Sequence, residues 1–274
     1  MIPPVVDVEW WLAHADETVT ADVRWYLDGR DGRAVYESGH LPGAVFVDLD
    51  RDLAGPHDPA EGRHPLPTPE QFAAAMARVG IGDRTAVVAY DDGGGVIAAR
   101  LVWMLRVTGH DAALLDGGIT AYAGPLSTQA PAPARADFTP VPWPAEALAR
   151  IDEVAHLGEG TVLLDARQPE RYRGEVESTD PRAGHIPGAR NLSCRDNLGL
   201  DGRFLPVEEL RRRFAEVGID ERTRWVSSCG SGVTACHTLL AAEHVGLPGG
   251  RLYPGSWSQW SSDPERPAAT GATP

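Results

Sequence analysis

The stretch Arg224-Trp225-Val226-Ser227-Ser228-Cys229-Gly230-Ser231-Gly232-Val233-Thr234 decides how this chain is read. Arg224 to Ser228 reads as a short strand. Cys229 to Gly232 reads as a tight turn, because glycine allows the positive φ that such a reversal needs. The chain then continues as a helix through Leu239 and Leu240. A nucleophilic side chain therefore stands where a strand ends and a helix begins, the place where α/β sheets hold their ligands.

Outward from this stretch the same alternation recurs. Thr161 to Asp165 is a short apolar run read as a buried strand. Val207, Leu210, Phe214 and Val217 are spaced 3, 4 and 3 and share one face of a helix over Pro206–Val217. In the first half, Thr85 to Tyr90 reads as a strand, Asp91 to Gly95 as a turn and Val96 to Val107 as a helix. Short strands alternating with helices predict an α/β fold with mostly parallel sheets flanked by helices on both faces.

The two halves also match in sequence. His40-Leu41-Pro42-Gly43-Ala44 recurs as His185-Ile186-Pro187-Gly188-Ala189, and Val79-Gly80-Ile81 recurs as Val217-Gly218-Ile219. The offsets, 185 − 40 = 145 and 217 − 79 = 138, differ by seven residues, so one connecting loop is longer in the first half. A duplicated domain gives this pattern. The expected organisation is a first domain over 1–124, a proline-rich extended linker over 125–144 and a second domain over 145–274. The Pro- and Ala-rich tail from Asp263 is expected to fray.

Composition limits the partners. The chain has 274 residues, 42% hydrophobic and 23% charged, with a formal net charge of −14. Such a surface repels nucleic acid and anionic membrane, and an anionic substrate needs locally placed arginines or backbone N–H groups. No apolar run approaches a membrane span, and the acidic N-terminus resembles no targeting segment. Three cysteines, Cys194, Cys229 and Cys236, match neither a disulfide framework nor a common zinc site, and suggest a reducing cytoplasm. No metal or cofactor is expected.

The Cys229 turn has its own chemistry. Convergent N–H groups of Gly230, Ser231, Gly232, Val233 and Thr234 form an anion-binding nest, and the helix dipole adds partial positive charge. A thiol there is favoured as its thiolate. A phosphate-binding P-loop is excluded because no lysine follows Gly232. A cysteine phosphatase needs an arginine to close the loop, and Ala235, Cys236 and His237 stand there instead.

The loop Cys229-Gly230-Ser231-Gly232-Val233-Thr234-Ala235 resembles the active-site loop of the 3-mercaptopyruvate sulfurtransferases of the rhodanese superfamily. The resemblance extends to the paired His-(Leu/Ile)-Pro-Gly-Ala segments, to Arg171-Tyr172-Arg173-Gly174 and to Gly255-Ser256-Trp257. It implies two tandem rhodanese-like domains, of which only the second is catalytic. Asp92, set opposite Cys229 at an offset of 137, marks the first as a non-catalytic partner that shapes the cleft. It implies that Cys229 becomes a persulfide and hands sulfur to a thiol, thioredoxin-like or cyanide acceptor. Ser231 and a histidine, matched here to His40, form a proton relay, with Asp31 placed to orient His40. Arg171 binds the donor, and Arg182 is the candidate for a second binding arginine. Thr234 caps the loop or donates to substrate. Cys236 is expected in the core and Cys194 at an exposed loop, either one a conceivable redox partner of Cys229. Trp257 and Trp260 pack at the cleft mouth or in the core.

Thiosulfate-preferring rhodaneses carry basic residues where this chain has neutral Gly230 and Ser231. The expected donor is therefore 3-mercaptopyruvate. Thiosulfate:cyanide transfer and a non-enzymatic sulfur carrier are the alternatives.

Overall fold

A computed structural model describes residues 1–158 and 160–274. The chain divides into two compact units. The first comprises Met1–Gly55, Leu66–Trp143 and Gly199–Phe204; the second comprises Pro56–Pro65, Pro144–Leu198 and Leu205–Pro274. The units thus exchange two short segments, whereas the sequence suggests a boundary in simple chain order.

Unit one holds a parallel sheet of β1 (Val5–Val6), β2 (Thr18–Asp22), β3 (Val45–Phe46), β4 (Ala86–Tyr90) and β5 (Ala112–Leu115), in the order β1-β5-β4-β2-β3. Unit two holds β6 (Thr161–Asp165), β7 (Ala189–Asn191), β8 (Arg224–Ser228) and β9 (Gly250–Leu252), in the order β7-β6-β8-β9. Leu148 bridges Leu252 in parallel, at the place that β1 fills beside β5. Every strand pair among the described residues is parallel. β4 and β6 are buried after their first residue and apolar there except for Asp165, which pairs with Arg167, as a sheet covered on both faces requires.

The helices follow the pattern read from sequence, with two differences: the helix expected over Val96 to Val107 begins at Ala99, because the turn from Asp91 runs on to Ala98, and one face is shorter than expected. In the helix Val207–Glu216, Leu210 and Phe214 are buried, but Val207 is exposed. Val207 is the first helical residue and lies before the face turns to the sheet. Among the described residues no helix is long and apolar enough to cross a membrane.

The duplication reaches individual side chains. Tyr36 stacks on His40 at 4.0 Å in unit one, and Tyr172 on His185 at 3.7 Å in unit two. Each histidine Nδ1 sits 2.8 Å from that tyrosine's carbonyl. Each forms an antiparallel backbone bridge to a late, irregular segment, His40 to Ser127 and His185 to Ala269. Arg24 pairs with Asp22 and reaches the Gly39 carbonyl; Arg167 pairs with Asp165 and reaches the Gly184 carbonyl.

These bridges revise two expectations from the sequence. The proline-rich segment after Gly124 is extended but fastened along unit one. Ala136 N–H donates to Ala77, Thr139 donates to Asp83, and Phe138 stacks on His110 at 4.3 Å. The C-terminal tail is fastened as well. Ala269 exchanges backbone bonds with His185, and the Trp260 indole donates to the Pro267 carbonyl.

Candidate active site

Cys229 is the first residue past β8. Ser228 is in register with Asp165, and the Ala166 N–H donates to the Ser228 carbonyl at 2.8 Å, so the sheet ends where the thiol begins. The Cys229 N–H donates to Ser256 Oγ, and the carbonyls of Cys229 and Gly230 accept from Trp257 and Ser258 N–H. Ser256 is fully buried with φ 51°, a left-handed conformation for a non-glycine residue that turns its hydroxyl onto the loop. Gly232 has φ 74°, and a methyl group there would meet the Pro254 carbonyl at 2.4 Å, so both backbone and space require glycine. Val233 is buried, and Thr234 opens the helix Thr234–His244.

The corresponding turn in unit one displays what such a loop binds. Asp91, the first residue past β4, accepts from the N–H groups of Gly93, Gly95, Ile97 and Ala98 at 2.7–3.0 Å. Its own carboxylate fills the nest. Burial pushes the Asp91 carboxyl above its ordinary range against the pull of those four donors. Asp91, at an offset of 138, is therefore the structural counterpart of Cys229. Asp92 instead accepts from the Tyr26 hydroxyl at 2.6 Å. The N–H groups of Gly230, Ser231 and Val233 meet no protein acceptor among the described residues.

Ser231 and a histidine are brought together, but the histidine is His64. His64 Nδ1 and Ser231 Oγ share a buried hydrogen bond of 2.8 Å. His40 lies in the other unit, wholly buried, held by Tyr36 and 3.3 Å from the Gln129 carbonyl. That environment duplicates the one around His185 and identifies both as packing histidines. Asp31 is exposed and caps the helix Gly32–Ser38 by accepting from Arg33 and Ala34 N–H. It has no orienting contact with His40 among those described.

The strap Pro56–Pro65 carries His64. Gln259 donates to the Ala60 carbonyl, Ser262 to the Pro59 carbonyl, and Arg63 N–H to Ser258 Oγ. A methyl group on Gly62, φ 97°, would lie 2.7 Å from the Gly255 carbonyl, so glycine lets the strap lie flat on this turn. The signal in the sequence is the seven-residue excess in this loop of the first half.

Arginines line the loop. A methyl group on Gly230 would sit 3.2 Å from Arg63 Nη2 and 3.5 Å from Arg171 Nη1. Asp180 bridges both guanidiniums, 2.7 Å from Arg63 Nη1 and 3.0 Å from Arg171 Nη2, and Glu177 holds Arg171 at 2.8 Å. Burial raises the Asp180 carboxyl, and Glu177 nearby adds to this, against the arginines. Burial also pushes Glu177 up, but N–H donors from Asp180 and Thr179, and then Arg171, outweigh it and leave it low. Arg182 is used otherwise. Its guanidinium donates to the carbonyls of Trp260, Ser261, Asp263 and Arg266, which makes it a structural clamp on the C-terminal segment.

Both remaining cysteines are buried. Cys236 Sγ lies 3.3 Å from the Gly232 carbonyl in the helix core. Cys194 is buried, not exposed, and burial together with charge at Cys229 pushes its thiol up to about 12; the Thr234 hydroxyl bonds to it. Trp257 and Trp260 belong to the core of unit two. Among the described residues no cluster of His, Cys, Asp and Glu is suited to a metal ion.

A family model for the rhodanese-like domain matches residues 8–124 and 144–263. The chain belongs to the rhodanese-like family. It is 46% identical over 267 residues to a Pseudomonas aeruginosa protein named "Probable 3-mercaptopyruvate sulfurtransferase", with 93% of each chain covered. It is 41% identical over 263 residues to a Mycobacterium tuberculosis relative whose name gives thiosulfate as the donor, covering 93% of this chain and 92% of that one. The crystal structure of SseA from Escherichia coli, described as a 3-mercaptopyruvate sulfotransferase, superposes with a TM-score of 0.82 and 31% identity, covering 93% of this chain and 99% of that one. With these rhodanese-like relatives the chain is an enzyme of the sulfurtransferase kind, acting between a sulfur donor and a thiol acceptor.

Proposed function

We propose that the chain moves sulfane sulfur from 3-mercaptopyruvate to a thiol through a persulfide on Cys229. The observation that carries this reading is the pairing of Cys229, in a nest with unused N–H donors, with a buried Ser231–His64 hydrogen bond two residues on.

In the first step the Cys229 thiolate attacks the donor sulfur. The S–C bond breaks, its electron pair stays on carbon as the enolate of pyruvate, and Cys229 becomes Cys–S–SH. The enolate carbon then needs a proton, which His64 supplies through the Ser231 hydroxyl. In the second step an acceptor thiolate attacks the outer sulfur and returns the Cys229 thiolate. Nest N–H groups hold the negative charge on sulfur at each stage. Arg171 gives the donor's carboxylate a cationic partner in a protein that is otherwise strongly acidic.

Thioredoxin-like thiols and cyanide are the acceptors this chemistry suits. Three unpaired, buried cysteines fit a reducing compartment, and we place the activity in the cytoplasm. Steady-state kinetics with both donors, using cyanide as acceptor, test the reading. A higher kcat/KM for 3-mercaptopyruvate supports it. A clear preference for thiosulfate favours the donor named for the mycobacterial relative and overturns it.

A further inference from the structure

We infer that Glu177 and Asp180 select the donor, by cancelling the charge of the arginines beside Gly230 so that a singly charged donor is favoured over a doubly charged one. This rests on the donor reading above and deepens it.

Neutral residues at 230 and 231 do not by themselves make a neutral site. The loop has no cation of its own, but the fold brings two to it from elsewhere. A methyl group on Gly230 would meet Arg63 Nη2 at 3.2 Å and Arg171 Nη1 at 3.5 Å. Left uncompensated, these guanidiniums would restore the positive charge that a basic loop offers a small dianion. Two carboxylates compensate them. Asp180 accepts from Arg63 Nη1 at 2.7 Å and from Arg171 Nη2 at 3.0 Å, and Glu177 accepts from Arg171 Nη2 at 2.8 Å. The side chains of Asp180 and Glu177 are 1% and 4% exposed, so water and salt screen neither. Arg167, the third guanidinium of the group, is held by Asp165, with its Nη1 3.7 Å from Glu177 Oε2. Arginines 63, 167 and 171 are thus matched by Asp165, Glu177 and Asp180. Glu177 cannot swing away when a donor enters, because its Oε1 also accepts from the Thr179 and Asp180 N–H groups. Coulomb attraction scales with the charge of the donor. Cancelling it therefore weakens thiosulfate, a dianion, twice as much on a logarithmic scale as 3-mercaptopyruvate with its one carboxylate.

Asp180→Asn and Glu177→Gln each delete one negative charge with little change of shape. At an effective dielectric constant of about 40 and a separation of about 8 Å, one charge acting on a singly charged partner is worth about fivefold. Each variant should therefore raise kcat/KM for thiosulfate about fivefold more than kcat/KM for 3-mercaptopyruvate. Alkylation of Cys229 gives a second reading that needs no sulfur transfer. Iodoacetate carries one negative charge and iodoacetamide none, and the ratio of their rates cancels any change in the thiolate itself. That ratio should also rise about fivefold in each variant. Variants in which neither ratio moves overturn the inference. A ratio that moves in one assay alone also overturns it, because a charge effect must act on every anion at the site. Glu177→Gln leaves the Asp180 bridge between the arginines in place, so it carries the test if Asp180→Asn fails to fold. A parent chain that prefers thiosulfate refutes the donor reading; the two ratios in the variants still decide whether these carboxylates act as the charge filter.

Discussion

Replacing His64 by Asn separates proton delivery from everything else the site does. The Asn amide can keep a hydrogen bond at the Nδ1 position, 2.8 Å from Ser231 Oγ, but cannot pass on a proton. General acid catalysis by a positioned side chain contributes about 10²–10⁴-fold, or roughly 2.7–5.5 kcal/mol at the barrier. The demand for it depends on the donor. 3-Mercaptopyruvate leaves an enolate that must be protonated, whereas thiosulfate leaves sulfite, which needs no proton on carbon. His64→Asn should therefore lower kcat with 3-mercaptopyruvate by about a hundredfold or more and change the thiosulfate reaction by about threefold or less. The matched control is His40→Asn. It removes a fully buried ring stacked on Tyr36, so it should cost about 2–4 kcal/mol of stability while the folded enzyme keeps its kcat. The assay is cyanide-coupled turnover with each donor, alongside denaturant unfolding of each variant. If His64→Asn slows both donors equally, or if His40→Asn lowers kcat in folded protein, the assignment of the relay to His64 is wrong.

Further outcomes follow from the same geometry. Asp91→Ala leaves four N–H donors of the first unit without their carboxylate, which should lower stability by about 3 kcal/mol and shift the denaturant midpoint down; an unchanged midpoint would contradict the self-filled nest. Cys194, its thiol held up to about 12, should be roughly one part in a thousand thiolate at a pH of about 9. Brief iodoacetamide treatment of native protein there should mark Cys229 alone; an equal adduct on Cys194 would show that its raised pKa does not keep it in the thiol form.

Much of the fold is legible in the sequence because its signals are local. Thr161 to Asp165 announces a buried strand by its apolar run, and the paired His-x-Pro-Gly-Ala segments announce duplication. Cys229 is legible for the same reason, since strand, glycine turn and helix are contiguous around it. Pairings between distant segments are not. His40 and His64 are both histidines beside proline, and the motif singles out His40. That motif, however, encodes a tyrosine-stacked packing unit, as its copy at His185 shows. His64 stands in Gly62-Arg63-His64, whose counterpart in the second half is Gly202-Arg203-Phe204, so a search for repeated residues passes over it. The place of Arg182 in its loop suits a second binding arginine, but the sequence carries no trace of the four carbonyls that claim it. Counting back from the paired glycines sets Asp92 opposite Cys229. The strand end, which sets the geometry, selects Asp91 one residue earlier.

The central claim is that sulfur travels on Cys229. Intact-protein mass measurement after incubation with 3-mercaptopyruvate and no acceptor tests it most directly. The account predicts a gain of one sulfur atom per chain, mapped to the Cys229 peptide, removed by cyanide and missing in Cys229→Ser. Turnover without that adduct, or an adduct that persists in Cys229→Ser, would contradict it.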